Sequence, residues 1–173
     1  MDGVDRPLLP YPIAYGRIVS TSFLASIMPQ PNPVAICLLY REGKLLMQLR
    51  DNIPTILYPG LWGLFGGHIE AGETPEIAVV REIAEEITYD LPPDFQKFGI
   101  YADEIVHRHI FHAPLTVPIV ELNLQEGWDL GLLTPAQIAT GFAYSDVAQE
   151  SRPIGPAHQK ILLEFAEKHA QFF

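Results

Sequence analysis

Four glutamates and one arginine stand at spacings that suit chemistry on a divalent cation: Glu73, then Arg81-Glu82, then Glu85-Glu86. On an α-helix, residues three and four apart share a face, which gathers Glu82, Glu85 and Glu86. Like charges at that spacing repel, so the cluster gains nothing for folding without a counter-ion. Hard carboxylate oxygens suit Mg2+ or Mn2+. Mg2+ keeps several waters and takes one or two carboxylates plus substrate phosphate oxygens. Clustered sites of this kind bridge an attacking water and a leaving phosphate. A solvated helix rich in Glu would show the same triplet, so the triplet alone leaves both readings open.

The flanking residues narrow the choice. Gly66-Gly67 permits a close backbone approach and leaves carbonyls free as further ligands. Arg81 lies beside the acidic face, where a rigid guanidinium fork can hold Glu73 or Glu85. Thr74 suits an N-cap and Pro75 the first helical position. Asp90-Leu91-Pro92-Pro93 stops the helix. Ile77, Val80, Ile83, Ala84 and Ile87 gather on one side of the wheel. That side is expected to pack on a sheet, with Glu82, Glu85 and Glu86 roughly opposite.

The remaining elements must carry this helix. Residues 34–40 form a continuous apolar run, fit for a strand buried on both faces. Arg41-Glu42-Gly43 turns the chain, and residues 44–50 return antiparallel. Residues 51–60 read as a loop, and 61–65 as a short strand ending at Gly66-Gly67. Two or three strands are expected across 97–124, with β-type content at 105–106, 110–111 and 115–124. Thr134 caps a short helix, Pro135–Thr140, and Gly155-Pro156 opens a last helix over 157–172. Residues 1–33, with six prolines, form an irregular lead-in packed on the domain, with one short strand over 18–23. Residues 34–173 make up the domain itself: a mixed sheet with helices packed on it.

Gly, five residues, Glu, seven residues, Arg-Glu, an aliphatic residue, any residue and Glu-Glu is a pattern hard to obtain by chance. Residues 67–88 resemble the Nudix box, and every charged position matches. Thr88 stands where the family has Gly and Tyr89 where it has an aliphatic residue, which leaves the helix-end geometry open. Phe65 stands where the entry strand usually has Pro. The box is 22 of 173 residues.

The resemblance implies an α/β (α+β) fold, an α/β/α sandwich around a mixed β-sheet. It implies Mg2+-dependent (or Mn2+-dependent) hydrolysis of a nucleoside diphosphate linked to another moiety, by water attack on phosphorus. Gly67, Glu82, Glu85 and Glu86 would hold the metal. Glu73 and Arg81 would support them in the catalytic set. A loop outside the box often adds a carboxylate, as ligand or general base; Glu126 is favoured here over Glu121. Many members of that family are dimers, so a homodimer is one expectation.

Arg50 and Arg108 are candidates to hold outer phosphates, and His68 to touch one. Trp62, Phe65, Tyr58, Phe111 and Trp128 are candidates to stack on a base, against an ordinary core role. His107 and His109 share a strand face, but with His112 they lack the Cys or acidic partners of a zinc site. Cys37 reads as a buried hydrophobe, not a reactive thiol. At −10, with 11 scattered Lys and Arg, the chain lacks the cationic track that nucleic acid or anionic membrane requires. That weighs against messenger-RNA decapping. A small phosphorylated, nucleotide-type substrate remains compatible, because a bound cation inverts the local field. One cysteine and no basic leader point to the cytoplasm. The alternative to an enzyme is a non-catalytic module of the same fold that senses a nucleotide; its only support is Thr88.

Overall fold

The structure is a computed structural model and describes residues 32–173 except 57 and 104. The expected lead-in and its strand over 18–23 lie outside the described residues. The strands are β1 (Asn32–Arg41), β2 (Lys44–Leu49), β3 (Trp62–Gly63), β4 (Phe65–His68), β5 (Gln96–Ala102), β6 (Val106–Pro114), β7 (Asp129–Leu133), β8 (Phe142–Ser145) and β9 (Glu150–Pro153). The helices are α1 (Pro75–Ile87), α2 (Pro135–Thr140) and α3 (Pro156–Lys168).

Seven strands form one mixed sheet in the order β3-β2-β1-β6-β5, with β4 also on β1 and β7 also on β2. The β1–β6 pair is parallel and the others antiparallel. Strands β8 and β9 make a separate hairpin. The apolar run in β1 is buried on both faces, as expected. Ile36 and Leu38 join a core with Ile138 of α2 and Ile161, Leu162 and Phe165 of α3. Ala35, Cys37 and Leu39 join a second core with Ala78, Val79, Ile83 and Ile87 of α1. Each fully buried side chain of this size contributes roughly 1.5–3 kcal/mol. The result is the α/β/α sandwich that the resemblance implies. Among the described residues no helix is long and apolar enough to cross a membrane.

The structure corrects several local expectations. The strand expected over 61–65 is interrupted at Leu64, and Gly66-Gly67 lie inside β4, not beyond a strand end. Residues 115–124 form no strand. Pro118 interrupts them, a 3-10 turn runs through Ile119–Glu121, and Leu115, Val117 and Leu122 fill the second core. Strands β7, β8 and β9 went unexpected because their runs are short and carry Gly131 or polar residues. The last helix ends at Lys168, followed by a 3-10 turn, Ala170–Phe172. Helix α2 matches its expected bounds, and Thr134 forms a full capping box with Gln137.

Helix α1 keeps its expected start: the Thr74 hydroxyl accepts from the Ile77 N–H. Its packing face is rotated from expectation. Ile83 and Ile87 pack, but Ile77 and Val80 are exposed; Ala78 and Val79 take their place and Glu86 is buried among them. The largest apolar residues of the helix do not define its packing face; the small Ala78, fully buried, lets the helix approach the sheet closely. At the other end Thr88 adopts the left-handed conformation, φ 53° and ψ 44°, and its N–H bonds to the Ala84 carbonyl. A Thr thus performs the turn that Gly ordinarily provides, at a cost of roughly 1–2 kcal/mol for a residue with a Cβ. Replacing Thr88 by Gly is therefore expected to stabilise the protein by about 1 kcal/mol, after the entropy that glycine gives the unfolded chain. A urea-unfolding midpoint that fails to rise would show that the turn is unstrained.

Candidate metal and catalytic site

The site lies where the C-terminal half of α1 crosses β4 and the end of β2. Strand β4 is pinned to β1 through the Ala35–Gly67 and Ile36–Gly66 pairs. Glu86 is the innermost carboxylate, 6% exposed. Its Oε2 accepts from the Gly66 N–H at 2.7 Å and its Oε1 from the Gln48 amide at 3.2 Å. Burial pushes its carboxyl up to about 8. The two hydrogen bonds oppose that shift, and the charges of Glu82 and Glu126 add to it. Glu82 is raised as well, by burial first, with Arg81 opposing and Glu85 and Glu126 adding. Gly67 permits this crowding: a Cβ there would stand 2.5 Å from Glu82 Oε2.

Arg81 gathers the other acids. Its Nε donates to Glu73 Oε1 at 2.8 Å and its Nη2 to Glu73 Oε2 at 3.0 Å. Nη1 donates to Glu82 at 2.8 Å and to Glu85 at 3.1 Å, and Nη2 to the His68 carbonyl at 3.0 Å. This bidentate grip, then the Glu70 N–H, holds Glu73 down at about 2. Glu73 in turn, then Glu82, drives the arginine's own pKa upward. Arg81 therefore ties the loop at 68–73 to the helix.

Glu126 reaches the site through the end of α1. The Gln125 N–H donates to the Glu86 carbonyl at 2.8 Å and the Asn123 N–H to the Ile87 carbonyl at 3.2 Å. The loop thus satisfies the orphan carbonyls of the helix end, and its charge at Glu126 is felt at Glu82 and Glu86. Glu121 lies on the exposed 3-10 turn, in a shallow recess with Thr88, Tyr89 and Thr116. The structure therefore brings Glu73, Arg81, Glu82 and Glu85 into contact, sets Gly67 beside Glu82 and buries Glu86 against Gly66. The chain carries Glu126 next to Gln125 at the end of the helix, and Glu121 lies on the exposed 3-10 turn. Glu86 is not on the solvent side, as the wheel suggested, but at the border of the packing face.

Of the candidate substrate contacts, His68 is exposed beside the site. Phe65 belongs to the core of the α1 face. Trp62 is also core, its Nε1 donating to the Ala143 carbonyl at 3.0 Å, though its edge lines a cavity. That cavity, about 240 Å³, lies between Arg50, Tyr58, Leu61, Trp62 and the start of α3 at Gly155, Pro156, Ala157 and His158. Arg108 departs from expectation: it is buried on the α3 face and paired with Asp103 at 2.6 Å. Even residues of β6 face α3, as the placement of Ile110 in that core shows, so Arg108 points away from the carboxylates. His107 and His109 share the other face, with ring centroids 5.1 Å apart, and His112 packs on Phe165. Phe111 is core and Trp128 lies under Arg152 at 5.7 Å. Cys37 is fully buried, which raises its thiol pKa.

Two residues of the region escaped the sequence reading. Gln48 is a lone amide in the buried strand β2, and that polarity was the available signal. His158 follows Gly155-Pro156 at the start of α3, and its Nδ1 accepts from the Leu64 N–H at 3.0 Å. Burial, with Arg108 and Arg50, lowers its imidazole to about 4.

The family model for the NUDIX domain matches residues 30–152. The chain belongs to the Nudix family. It is 34% identical over 91 residues to an ADP-ribose pyrophosphatase of Methanocaldococcus jannaschii, covering 51% of this chain and 52% of that one. It is 36% identical over 80 residues to an RNA pyrophosphohydrolase of Gluconobacter oxydans, covering 38% and 44%. The matched stretches thus span about half the length of these curated relatives. Among solved Nudix structures, a MutT/nudix family protein from Enterococcus faecalis superposes with TM-score 0.63 at 15% identity, covering 83% of this chain and 63% of that one. The NUDIX domain of Shewanella oneidensis NrtR, complexed with ADP ribose, superposes with TM-score 0.61 at 20% identity, covering 88% and 99%. These structures share the Nudix fold.

The buried carboxylate gives the metal-free protein a distinctive pH response. The folded Glu86 pKa of about 8 exceeds its unfolded value, so between pH ~4.5 and ~8 the folded chain holds a proton that the unfolded chain lacks. The Glu86 contribution to stability in chelator should therefore fall as pH rises through that window. His158, lowered to about 4, adds an opposite rise between pH ~4 and ~6.5 that both proteins share. On going from pH 5 to pH 8 the urea midpoint of the parent should therefore fall relative to that of Glu86→Gln. Equal slopes would contradict the placement of Glu86.

Proposed function

We propose that this Nudix chain is a Mg2+-dependent pyrophosphohydrolase, cleaving the diphosphate of a nucleoside diphosphate linked to another moiety. The supporting observation is the buried Glu86 carboxylate, held by the Gly66 N–H and the Gln48 amide on the same helix as Glu82, whose carboxylate lies against Gly67. Among the described residues no three His, Cys, Asp or Glu side chains are arranged to hold an ion as they stand. Arg81 holds Glu82 and Glu85, and the Gly66 N–H and Gln48 amide hold Glu86. The donor set nonetheless fits a hard cation. It is all oxygen, carries like charge that Arg81 compensates only in part, and includes a glycine at which a side chain would displace the carboxylate.

Glu82, Glu86 and the Gly67 carbonyl would hold Mg2+, or Mn2+, with Glu85 joining after a rotation away from Arg81. The ion would supply charge neutralisation at the phosphate and a water of lowered pKa. Glu126, on the loop that bonds the end of α1, would take the proton of the attacking water. Glu73 and Arg81 hold the loop and the helix in register, as the partners of ligating carboxylates do. The cavity at Arg50, Tyr58, Trp62 and His158 would seat the organic group attached to the diphosphate. It is concave and largely apolar with a few polar groups, the usual character of such sites.

Glu82→Gln is expected to lower Mg2+-dependent turnover by about 100-fold or more while leaving the fold intact. Glu126→Gln should lower kcat with little change in KM, and Glu121→Gln should change neither. A hydrolysis screen over nucleoside triphosphates, ADP-ribose, sugar nucleotides and dinucleoside polyphosphates checks this and identifies the substrate. Parent-like turnover in Glu82→Gln would sink the assignment.

A further inference from the structure

Gln48 occupies a position where an apolar side chain would be the cheaper choice. It lies in β2 between Met47 and Leu49, and all three side chains are buried. A buried amide costs roughly 1–3 kcal/mol unless its polar atoms are bonded. Gln48 Nε2 donates to Glu86 Oε1 at 3.2 Å and to the Leu64 carbonyl at 3.3 Å. The Leu64 carbonyl can only accept, so the nitrogen, not the oxygen, must face it.

The other half of the amide meets the loop that carries Glu126. Gly127 lies at φ +102°, and a Cβ there would stand 3.0 Å from Gln48 Oε1 and 3.1 Å from the Leu49 carbonyl. The loop therefore rests directly on Gln48, secured by the Trp128 N–H to the Leu49 carbonyl at 2.7 Å. Leu64, the second acceptor, is held from the far face of the sheet, where its N–H meets His158 Nδ1. One amide thus touches both the innermost carboxylate and the backbone next to Glu126.

We propose that Gln48 is a positioning residue for the metal site: its amide orients Glu86 and sets the spacing between Glu86 and the Glu126 loop. The proposal rests on the metal-hydrolase reading above and adds a residue outside the box to it. Gln48 touches neither substrate nor reacting atoms; it acts through Glu86. Its removal should misplace a carboxylate without touching the cavity at Trp62 and His158.

The test compares Gln48→Met, which keeps the length and loses the donor, with Gln48→Asn, which keeps the amide and loses the reach. Mn2+ is titrated into each substrate-free variant, with free Mn2+ read by its paramagnetic resonance signal, beside the parent and Glu82→Gln. Both Gln48 variants are expected to bind Mn2+ about tenfold or more weakly, as when the partner of a metal ligand is removed. At saturating Mg2+, kcat should fall while KM for the substrate found in the screen stays within about twofold. Folding of each variant is checked by its urea midpoint in chelator, and Asn keeps the site polar should Met fail to fold. A folded variant with parent-like Mn2+ affinity, beside a weakened Glu82→Gln, overturns the role of Gln48 alone. Parent-like Mn2+ affinity in Glu82→Gln as well overturns the underlying reading of the site.

Discussion

The carboxylate of Glu86 is buried at the edge of a packing face, and the arrangement around it follows from that placement. An ionised carboxylate away from water is costly, and a second and third carboxylate close by raise the cost. Two donors, the Gly66 N–H and the Gln48 amide, offset part of it. They do not cancel it, since the group is still pushed up to about 8. A fold alone has no use for such a group, because an apolar residue would pack there at lower free energy. A cation bound among the acids would turn the same repulsion into binding energy.

The sheet and the helix supply the geometry for this. Strand β4 fixes the Gly66 N–H and lets Glu82 lie against Gly67 without a Cβ between them. Helix α1 fixes Glu82 and Glu86 in register, and its C-terminal carbonyls receive the N–H groups of the loop that carries Glu126. Arg81 joins Glu73 to Glu82 and Glu85, which compensates part of the negative field. In this arrangement its guanidinium occupies oxygens that a cation would claim. On the proposed reading, a cation at Glu82 would have to displace Arg81 from it.

Much of this was legible in the sequence, for identifiable reasons. A helix with fixed spacing reveals which acids share a side, and the Arg-Glu pair reveals which can be held together. The continuous apolar run at 34–40 announced a strand buried on both faces. The rotation of α1 was not legible, because side-chain size at Ala78 decides how closely a helix approaches a sheet. Gln48 and His158 were hidden for a different reason. Their partners, Glu86 and the Leu64 N–H, are 38 and 94 residues away, and no local pattern links them. The hairpin of β8 and β9 escaped because four-residue strands carry too little periodicity to separate from loop.

The central claim is that the like charge at Glu82, Glu86 and Glu126 is compensated by a divalent cation. Crystals grown with Mn2+ and examined by anomalous scattering address it directly. A peak bonded to Glu82 and Glu86 is expected, with the Arg81–Glu82 contact of 2.8 Å opened. A peak confined to the histidines of β6, or an intact Arg81–Glu82 pair with no peak between the carboxylates, would contradict it.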